Sequence, residues 1–402
     1  MLNVVYVAPF PMNATMKFGK ALANLHDVRL FGIFQKPPVG PQAEGFFRII
    51  KIDDALDVAL LEKHVRQIQI SFGPVHRLLG VLENLQEELA IVRQRLNIYG
   101  MRPQAAHRFR DKSAMKQALR QAGVPCARYA EISSAQESLQ FVERVGYPII
   151  LKPPSGAGCK ATYRVNTKAE LFQALSDIAV RPVLAEEFLT GQEYSMEAFT
   201  VNGQPRFASF SRYYPSPLEV MENPHLQWVV LFPRELKDPL YQRAKAIGYK
   251  AIRALGLQEG MTHMEWFCRP DGSVAVGEIG ARPPGAQISE VTGLIHGFST
   301  HQVWAQVMVF GHLNIPTHRN SAAAIVFLRG SGKGRVKQIH GLSEAQAKMG
   351  GFVVDVRLPL KGAPRSSSYE GDGWVIIQHP DTEIVKKAAW ELITTIRVEY
   401  EH

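Results

Sequence analysis

Two apolar runs separated by the turn residues RPDG predict a β-hairpin between Thr262 and Gly280. The runs read THMEWFC and SVAVGEIG, and successive side chains of a strand point to opposite faces. Each run contains one glutamate, Glu265 in the first and Glu278 in the second. A carboxylate on a half-buried strand is unfavourable unless it has a partner. The hairpin therefore requires a fold with antiparallel sheet, and it marks a candidate functional site.

The type of turn decides whether the two glutamates share a face. A two-residue type I′ turn at Asp271-Gly272 places Glu265 directly opposite Glu278, with their β-carbons roughly 5 Å apart. A type I turn led by Pro270, with a bulge at Gly272, slips the register by one residue and separates the glutamates. Opposed carboxylates need a cation between them, for which Mg²⁺ is suited, whereas separated ones are ordinary solvated side chains. Turn chemistry alone leaves both registers open.

The N-terminal quarter of the chain predicts a parallel sheet. LNVVYVAP, TMKFGKALANL and VRLFGIF read as strand, helix and strand. No GxGxxG follows the first strand, so the sequence does not support a dinucleotide site there. VHRLLGVLENLQEELAIVRQRL has apolar residues at spacings of three and four, which predicts one long amphipathic helix. Gly100 and Pro103 break this pattern and mark a linker.

The remainder mixes strands and helices. Asp111 can cap a helix that ends near Gly123. The pair Asn202-Gly203 predicts a hairpin turn, and Gly256 ends a later helix. The tail from about residue 320 has short strands, glycine turns and a last helix. The pattern predicts a multidomain chain with both α/β and α+β parts.

Composition narrows the classes of partner. The 402 residues include 46 Lys and Arg against 37 Asp and Glu, a formal net charge of +9 that suits an anionic ligand. The basic residues are spread out, without a run of five or a basic–aromatic ladder, which argues against nucleic acid. The longest apolar runs are too short to span a bilayer, and MLNVVYVAPF lacks the basic start of a signal peptide. Three scattered cysteines indicate a reducing compartment, so a cytoplasmic location without a membrane partner is expected.

Three further segments contain candidate functional residues. In LKPPSGAGCK, Lys152 precedes small residues that let backbone amides approach a phosphate, although a flexible hairpin loop explains the pattern equally well. LAEEFLTGQEYS can present backbone groups to a purine edge and an acidic side chain to a ribose, or it is a polar linker between strands. Arg282 can hold a phosphoryl group or a carboxylate by a bidentate contact, or it lies at the surface.

Four segments in order resemble the motifs of the ATP-grasp superfamily: DKSAMKQALRQAGVP, YPIILKPPSGAGC, EEFLTGQEYS and THMEWFCRPDGSVAVGEIGARPPG. The tail from GLSEAQAKMGGF to GDGWVIIQH resembles the C-terminal domain of the carboxylate–amine ligase and biotin-carboxylase-like branches. The resemblance covers about residues 105–300. It implies an ATP-grasp fold with three parts: a Rossmann-like pre-ATP-grasp α/β domain at 1–104, an ATP-grasp domain at 105–310 with a flap subdomain at about 128–195, and a small C-terminal α+β domain at 311–402.

The resemblance also implies a role for each matching residue. ATP and Mg²⁺, or Mn²⁺ in its place, are the implied cofactors. Lys112 and Lys152 would contact the phosphates, under a flap formed by Ser155, Gly156, Ala157 and Gly158. The adenine would be contacted by Glu186, Glu187, Phe188 and Leu189, and the ribose by Glu193. The metal ligands would be Glu265 and Glu278, and Arg282 would be the arginine near the acyl-phosphate. Together with these other matching residues, the resemblance favours the hairpin register in which Glu265 lies opposite Glu278.

One position departs from the family pattern. The usual E-x-N after the second strand is Glu278-Ile279-Gly280 here. Since the asparagine commonly completes a second metal site, the resemblance leaves open whether one or two metal ions bind.

The implied activity is that of an ATP-dependent carboxylate–amine ligase. Such an enzyme activates a carboxylate as an acyl-phosphate, joins it to an amino-acid-like amine, and releases ADP and phosphate. The expected partners are small molecules, without nucleic acid or membrane, and a homodimer is compatible with the resemblance. The alternatives are a biotin-carboxylase-like enzyme that activates bicarbonate and a nonenzymatic ATP-binding module. Lys152, Glu265, Glu278 and Arg282 argue against the module, because binding alone does not need them all.

Overall fold

The structure is a computed structural model that describes residues 1–156, 161–178 and 180–401. Its N-terminal unit is a parallel four-stranded sheet in the order β3-β2-β1-β4. The elements are β1 (Leu2–Val7), α1 (Asn13–Ala23), β2 (Val28–Phe34), β3 (Arg48–Lys51), α2 (Val58–Phe72), β4 (Val75–Leu79) and α3 (Gln86–Arg95). The predicted strand–helix–strand start is confirmed, because the run VVYV at 4–7 is fully buried in β1.

The predicted long helix after residue 74 is wrong. Val75–Leu79 forms strand β4, a 3₁₀ turn follows at Glu83–Leu85, and α3 begins only at Gln86. The apolar spacing was ambiguous because a short buried strand followed by a helix produces the same pattern. Gly80 lies where β4 meets α3, and a β-carbon there would come within 3.0 Å of the Val7 carbonyl oxygen. The absence of a side chain at Gly80 allows its backbone to lie close to the carbonyl oxygen of Val7.

The next unit begins with two helices, α4 (Pro103–Arg110) and α5 (Lys112–Gln121). Asp111 caps α5 as predicted, since its carboxylate accepts from the amide of Ala114 at 2.8 Å. An antiparallel sheet in the order β5-β8-β6-β7 follows, with two helices packed against it. Its elements are β5 (Tyr129–Ile132), α6 (Ala135–Val145), β6 (Ile149–Lys152), β7 (Tyr163–Val165), α7 (Lys168–Asp177) and β8 (Val183–Glu187).

A larger antiparallel sheet begins at β9. Its first elements are β9 (Gln192–Val201), β10 (Gln204–Tyr214), α8 (Pro217–Glu222), β11 (Trp228–Phe232), α9 (Pro239–Leu255), β12 (Gly260–Cys268), β13 (Val274–Gly280), α10 (Ile288–His296) and α11 (Thr300–Phe310). The hairpin predicted at Asn202-Gly203 is present between β9 and β10, and both turn residues have positive φ. Helix α9 packs against one face of the sheet, where Met196, Met264 and Trp266 are fully buried. The opposite face is therefore left to line the site.

The C-terminal segment extends this sheet and adds a small one. Its elements are β14 (Ala322–Leu328), β15 (Gly330–Ser331), β16 (Val336–His340), α12 (Leu342–Met349), β17 (Val353–Arg357), β18 (Gly373–His379), α13 (Thr382–Thr395) and β19 (Arg397–Tyr400). The large sheet runs β13-β12-β9-β10-β11-β14-β18-β17, and the small one β15-β19-β16. The boundary expected at residue 310 stays a prediction. None of the helices in the described part of the chain is both long and apolar enough to cross a membrane.

Candidate active site

The tip of the β12–β13 hairpin is a three-residue loop. The amide of Gly272 donates to the carbonyl of Arg269 at 2.9 Å, and the amide of Arg269 donates to the carbonyl of Ser273 at 2.9 Å. Gly272 has φ +77°, whereas Asp271 is not among the residues with positive φ, which a type I′ turn would require. The predicted two-residue tip at Asp271-Gly272 is therefore wrong. Pro270, whose ring presets φ for the first position of a type I turn, leads the loop instead.

A bulge below the tip restores the register that the turn would have lost. Near the tip Trp266 pairs with Val276, but the next pair is Glu265 with Glu278, so Gly277 is the extra residue. A bulge of this kind opposes two residues on one strand to one on the other. The two glutamates therefore lie opposite each other, as in the favoured register. The bulge was not predicted, and the predicted pairing of the glutamates rested on a turn that the hairpin does not have.

Lys112, the first residue of α5, contacts the second of these glutamates. Its Nζ lies 3.1 Å from Oε1 of Glu278 and donates to the carbonyl of Gly156 at 2.7 Å. Burial raises the pKa of Glu278, but the ammonium groups of Lys112 and Lys152 outweigh it and bring that pKa below its usual value. Glu278 is thus held as a carboxylate.

A second buried carboxylate lies between two lysines. Oε2 of Glu186 is 3.1 Å from Nζ of Lys152, and Oε1 is 3.2 Å from Nζ of Lys116. Burial raises the pKa of Glu186, but the two ammonium groups together have the larger effect and bring the pKa below its usual value. The carboxyl group is therefore ionised. Lys116 also donates to the carbonyl of Gly277, the bulge residue, at 3.2 Å. Lys116 was not among the predicted site residues, although its spacing of four from Lys112 places both lysines on one face of a helix.

Strand β9 brings further acidic side chains beside the hairpin. Glu193 is buried, and burial together with the nearby charge of Glu265 holds its pKa well above the usual range, against a smaller opposing effect of Lys152. His263 lies between two carboxylates, 2.9 Å from Oε1 of Glu197 and 3.9 Å from Oε1 of Glu265. Burial lowers the pKa of His263, but the two carboxylates have the larger effect and raise this pKa to about 9.

Arg282 joins the N-terminal unit to the site. Its Nε donates to Oε2 of Glu83 at 3.0 Å, and Nη1 of Arg110 lies 3.9 Å from the other oxygen of Glu83. Glu83 belongs to the 3₁₀ turn before α3, 199 residues away in sequence. No local pattern around Glu83 signalled this contact, so Glu83 was not among the predicted site residues.

One cavity of about 180 Å³ contains most of the predicted site residues. Its lining includes the following of them: Lys112, Lys152, Gly156, Glu186, Glu187, Phe188, Leu189, Glu193, Glu265, Glu278 and Arg282. Ser155 is not among the lining residues, and Ala157 and Gly158 lie outside the described residues. Gly280 also lines the cavity, and a β-carbon there would be 3.6 Å from Cγ of Arg282, an ordinary contact.

The site lies within a recognised domain family. Residues 117–286 match the family model described as the ATP-grasp domain. The match contains the hairpin with both glutamates, Arg282, and the ion pair of Lys152 with Glu186, and it begins directly after Lys116.

Relatives of known name match along most of the chain. The chain is 22% identical over 315 residues to the L-arginine-specific L-amino acid ligase of Bacillus subtilis, covering 76% of this chain and 75% of the relative. It is 27% identical over 236 residues to the D-alanine–D-alanine ligase A of Chromobacterium violaceum, covering 56% and 63%.

A solved structure matches over nearly its whole length. The crystal structure of L-amino acid ligase from Bacillus licheniformis superimposes with a TM-score of 0.80 at 20% identity, covering 100% of this chain and 99% of that one. The fold predicted from the four motifs is thereby confirmed. The protein thus contains an ATP-grasp domain around the cavity, and it is similar to enzymes named as ligases of amino acids.

Proposed function

We propose that the protein joins two amino acids with the energy of ATP. A carboxylate oxygen of the first attacks the γ-phosphorus of ATP, ADP leaves, and an acyl-phosphate forms. The amine of the second then attacks the acyl carbon, and phosphate leaves as the amide bond forms and the nitrogen loses a proton. The observation that carries this proposal is the opposed pair Glu265 and Glu278, with Lys112, Lys152 and Arg282 lining the same cavity. The names of the relatives support amino acids as the substrates.

Charge complementarity supports ATP as the phosphoryl donor at this site. The ammonium groups of Lys112 and Lys152 are buried in the cavity wall, where they can neutralise phosphate oxygens. Phosphoryl transfer depends mainly on positioning and on charge stabilisation, which fixed buried cations supply. The cavity side of the Glu186–Leu189 segment would face the adenine, and Glu193 the ribose.

The paired glutamates fit a magnesium ion shared with ATP. No group of three or more His, Cys, Asp or Glu side chains arranged for a metal occurs in residues 1–156, 161–178 and 180–401. Mg²⁺ usually takes only one or two carboxylates and completes its shell with phosphate oxygens and water, so Glu265 and Glu278 suffice. Mn²⁺ takes the same oxygen ligands. When bound, the ion would neutralise charge on the phosphates. Gly280 supplies no side-chain ligand, so we propose that these two glutamates are the only side chains that hold the metal.

Arg282 lines the same cavity as the metal pair. A guanidinium group can contact two oxygens of a carboxylate or phosphoryl group at once. In the structure Arg282 is held by Glu83, which fixes the direction of its side chain before substrates arrive. The proposed role of Arg282 is to orient the substrate carboxylate and to stabilise the charge on the phosphoryl group during transfer.

A release assay with single and paired amino acids tests the proposal. The purified protein, ATP and Mg²⁺ are mixed with amino acids alone and in pairs, while ADP, phosphate and new dipeptides are measured. We expect ADP release that depends on an amino acid pair and matches dipeptide formation one to one. Release driven by bicarbonate, or release without any amide product, contradicts the proposed reaction.

The variant Glu278→Gln tests the assignment of the metal pair. It removes one of the two opposed charges while keeping the shape, so we expect ADP release to fall by at least ~100-fold. The melting temperature should stay within a few degrees of wild type, since the amide still reaches the ammonium of Lys112. Glu62→Gln is the control, because Glu62 pairs with Arg66 and Arg95 outside the cavity. Turnover that survives in the Glu278 variant would show that the metal assignment is wrong.

A further inference from the structure

Part of the cavity lining is apolar and is not assigned to ATP. It is formed by Tyr213, Pro217, Leu218, Trp228 and Ile288, and three of these belong to one hydrophobic cluster. Leu218 is half-buried, and the other four side chains are buried. These residues come from β10, α8, β11 and α10, so the apolar end, as we call this wall, is built from four separate elements.

The aromatic part of the apolar end is fixed by its neighbours. The ring of Trp228 stacks on Phe327 with centroids 4.8 Å apart, and it meets Tyr213 and Tyr369 edge-on at 5.3 and 4.9 Å. Offset-stacked and edge-to-face contacts of this kind restrict ring movement. The wall is therefore formed before a ligand binds, as is usual for small-molecule sites.

A buried donor in this wall lacks an acceptor. Nε1 of Trp228 is buried and finds no hydrogen-bond partner among the residues that the structure describes. A buried N–H without an acceptor is unfavourable, and most such groups in native proteins are paired. Because Nε1 has almost no accessible surface, this donor is enclosed within the packed wall and does not reach into the cavity.

The charges bordering the apolar end already have partners. Arg282 is paired with Glu83, and His263 with Glu197. Among the described residues that line this end, none offers a further unpaired charge. A charged substrate side chain placed there would lose its water without gaining a counter-ion, whereas an apolar one would gain from burial.

We propose that the apolar end binds the side chain of the amino acid whose carboxylate is activated, and that it selects neutral apolar side chains. The proposal rests on the ligase function proposed above. The activated amino acid becomes the N-terminal residue of the dipeptide, so the selection applies to that position of the product.

A panel of carboxylate donors tests this selection. Leucine, methionine, phenylalanine, aspartate and lysine are each offered with alanine as a fixed amine, and mass spectrometry identifies the N-terminal residue of each product. We expect kcat/KM for the apolar donors to exceed that for aspartate and lysine by about 30-fold or more. Equal use of charged donors, with dipeptides still formed, overturns the selection and leaves the ligase function standing. No ADP release with any amino acid overturns both.

Two variants test the wall directly. Leu218→Lys adds a cation to the apolar end, and the kcat/KM ratio of aspartate to leucine should rise about tenfold or more. Leu226→Lys is the matched control, a half-buried leucine outside this cavity, and it should leave the ratio unchanged. If the ratio is the same in Leu218→Lys and wild type, the side chain binds elsewhere and the proposal is wrong.

Discussion

At the scale of single residues, His296 occupies a place that accepts only a neutral imidazole. Its Nδ1 lies 2.8 Å from the carbonyl oxygen of His318, to which it donates, and its Nε2 lies 3.3 Å from Oγ of Ser209. Arg319 donates to the same hydroxyl oxygen at 2.8 Å, so the hydroxyl hydrogen is free to point to the imidazole. Burial, and then the charge of Arg319, lower the pKa of His296 to about 3.

This burial makes stability depend on pH. In the unfolded chain the histidine takes up a proton near its ordinary pKa of about 6.5, but in the folded protein only near 3. The stabilisation is complete above pH 6.5 and is lost as the pH falls from there towards 3, by about 2 kcal/mol at pH 5. His296→Asn, which retains a donor for the carbonyl, should therefore lose less melting temperature between pH 7.5 and 5 than wild type does. The exposed His26→Asn serves as control, and equal losses in all three proteins would contradict the prediction.

The site residues that could be predicted from the sequence are those that lie in a short, recognisable motif. Lys152 and the two hairpin glutamates were recognisable because each lies in a short motif, and the cavity brings them together. Glu83 was not recognisable, since its contact with Arg282 depends on how the N-terminal unit packs. Lys116 is an intermediate case, because its helical spacing was visible but its buried partner Glu186 was not.

At the scale of secondary-structure elements, the turn before β9 depends on a glycine. Gly191 has φ +127°, and a β-carbon there would lie 2.1 Å from the carbonyl oxygen of Cys268 on the neighbouring strand β12. Backbone cannot move aside as a flexible side chain can. The turn therefore sets where β9, with Glu193 near its start, lies against β12.

Gly191→Ala should destabilise the protein and weaken ATP binding. Gly272→Ala is the matched control, because Gly272 also has positive φ, +77°, but a β-carbon there meets nothing within 4 Å. The control should lose only the strain of a left-handed alanine, about 1 kcal/mol, while Gly191→Ala should lose ~3 kcal/mol or more. Thermal unfolding and nucleotide titration measure both effects. Similar melting temperatures for the two variants would show that the contact with Cys268 relaxes freely.

A helix, strand or turn was predicted correctly where a single sequence pattern indicated it, and wrongly where two structures fit the same pattern. The helix at Asn13–Ala23 and the turn at Asn202-Gly203 agree with the sequence prediction. The residues Val75–Leu79 were misassigned to a helix because their strand character comes from pairing with β1. The hairpin register depended on a turn and a bulge together. Only the turn was predicted, although an isolated glycine within a strand pattern, here Gly277, is typical of a bulge.

At the scale of the whole molecule, two sheets and the N-terminal unit meet at the cavity. The antiparallel β5–β8 sheet supplies Lys152 and Glu186, the large sheet supplies the opposed glutamates, and the N-terminal unit supplies Glu83. A ligand that contacts all three links them. Their mutual arrangement depends on pairings between distant residues, such as Trp228 with Phe327 across β11 and β14, which no local pattern predicts.

A nonhydrolysable ATP analogue with Mg²⁺ should therefore raise the melting temperature. At a concentration 100 times its Kd the expected stabilisation is about 2.7 kcal/mol, or a few degrees. Lys152→Met should lose most of this shift because it removes a cation that faces the phosphates. Lys63→Met, an exposed lysine on α2, should retain it. An unchanged shift in the Lys152 variant would contradict the proposed phosphate contact.

The bulge at Gly277 lies between the paired glutamates and the part of the hairpin that leads to its tip. The pairing of Glu265 with Glu278 is fixed on the site side, where Lys116 holds the bulge carbonyl, while the loop at Pro270 to Gly272 only closes the far end. We therefore expect that the loop can change in length with little effect on the position of the carboxylates. The peptide bond between Asp271 and Gly272 is for this reason a suitable insertion point for an epitope tag or a fluorescent probe in a ligase that keeps its turnover.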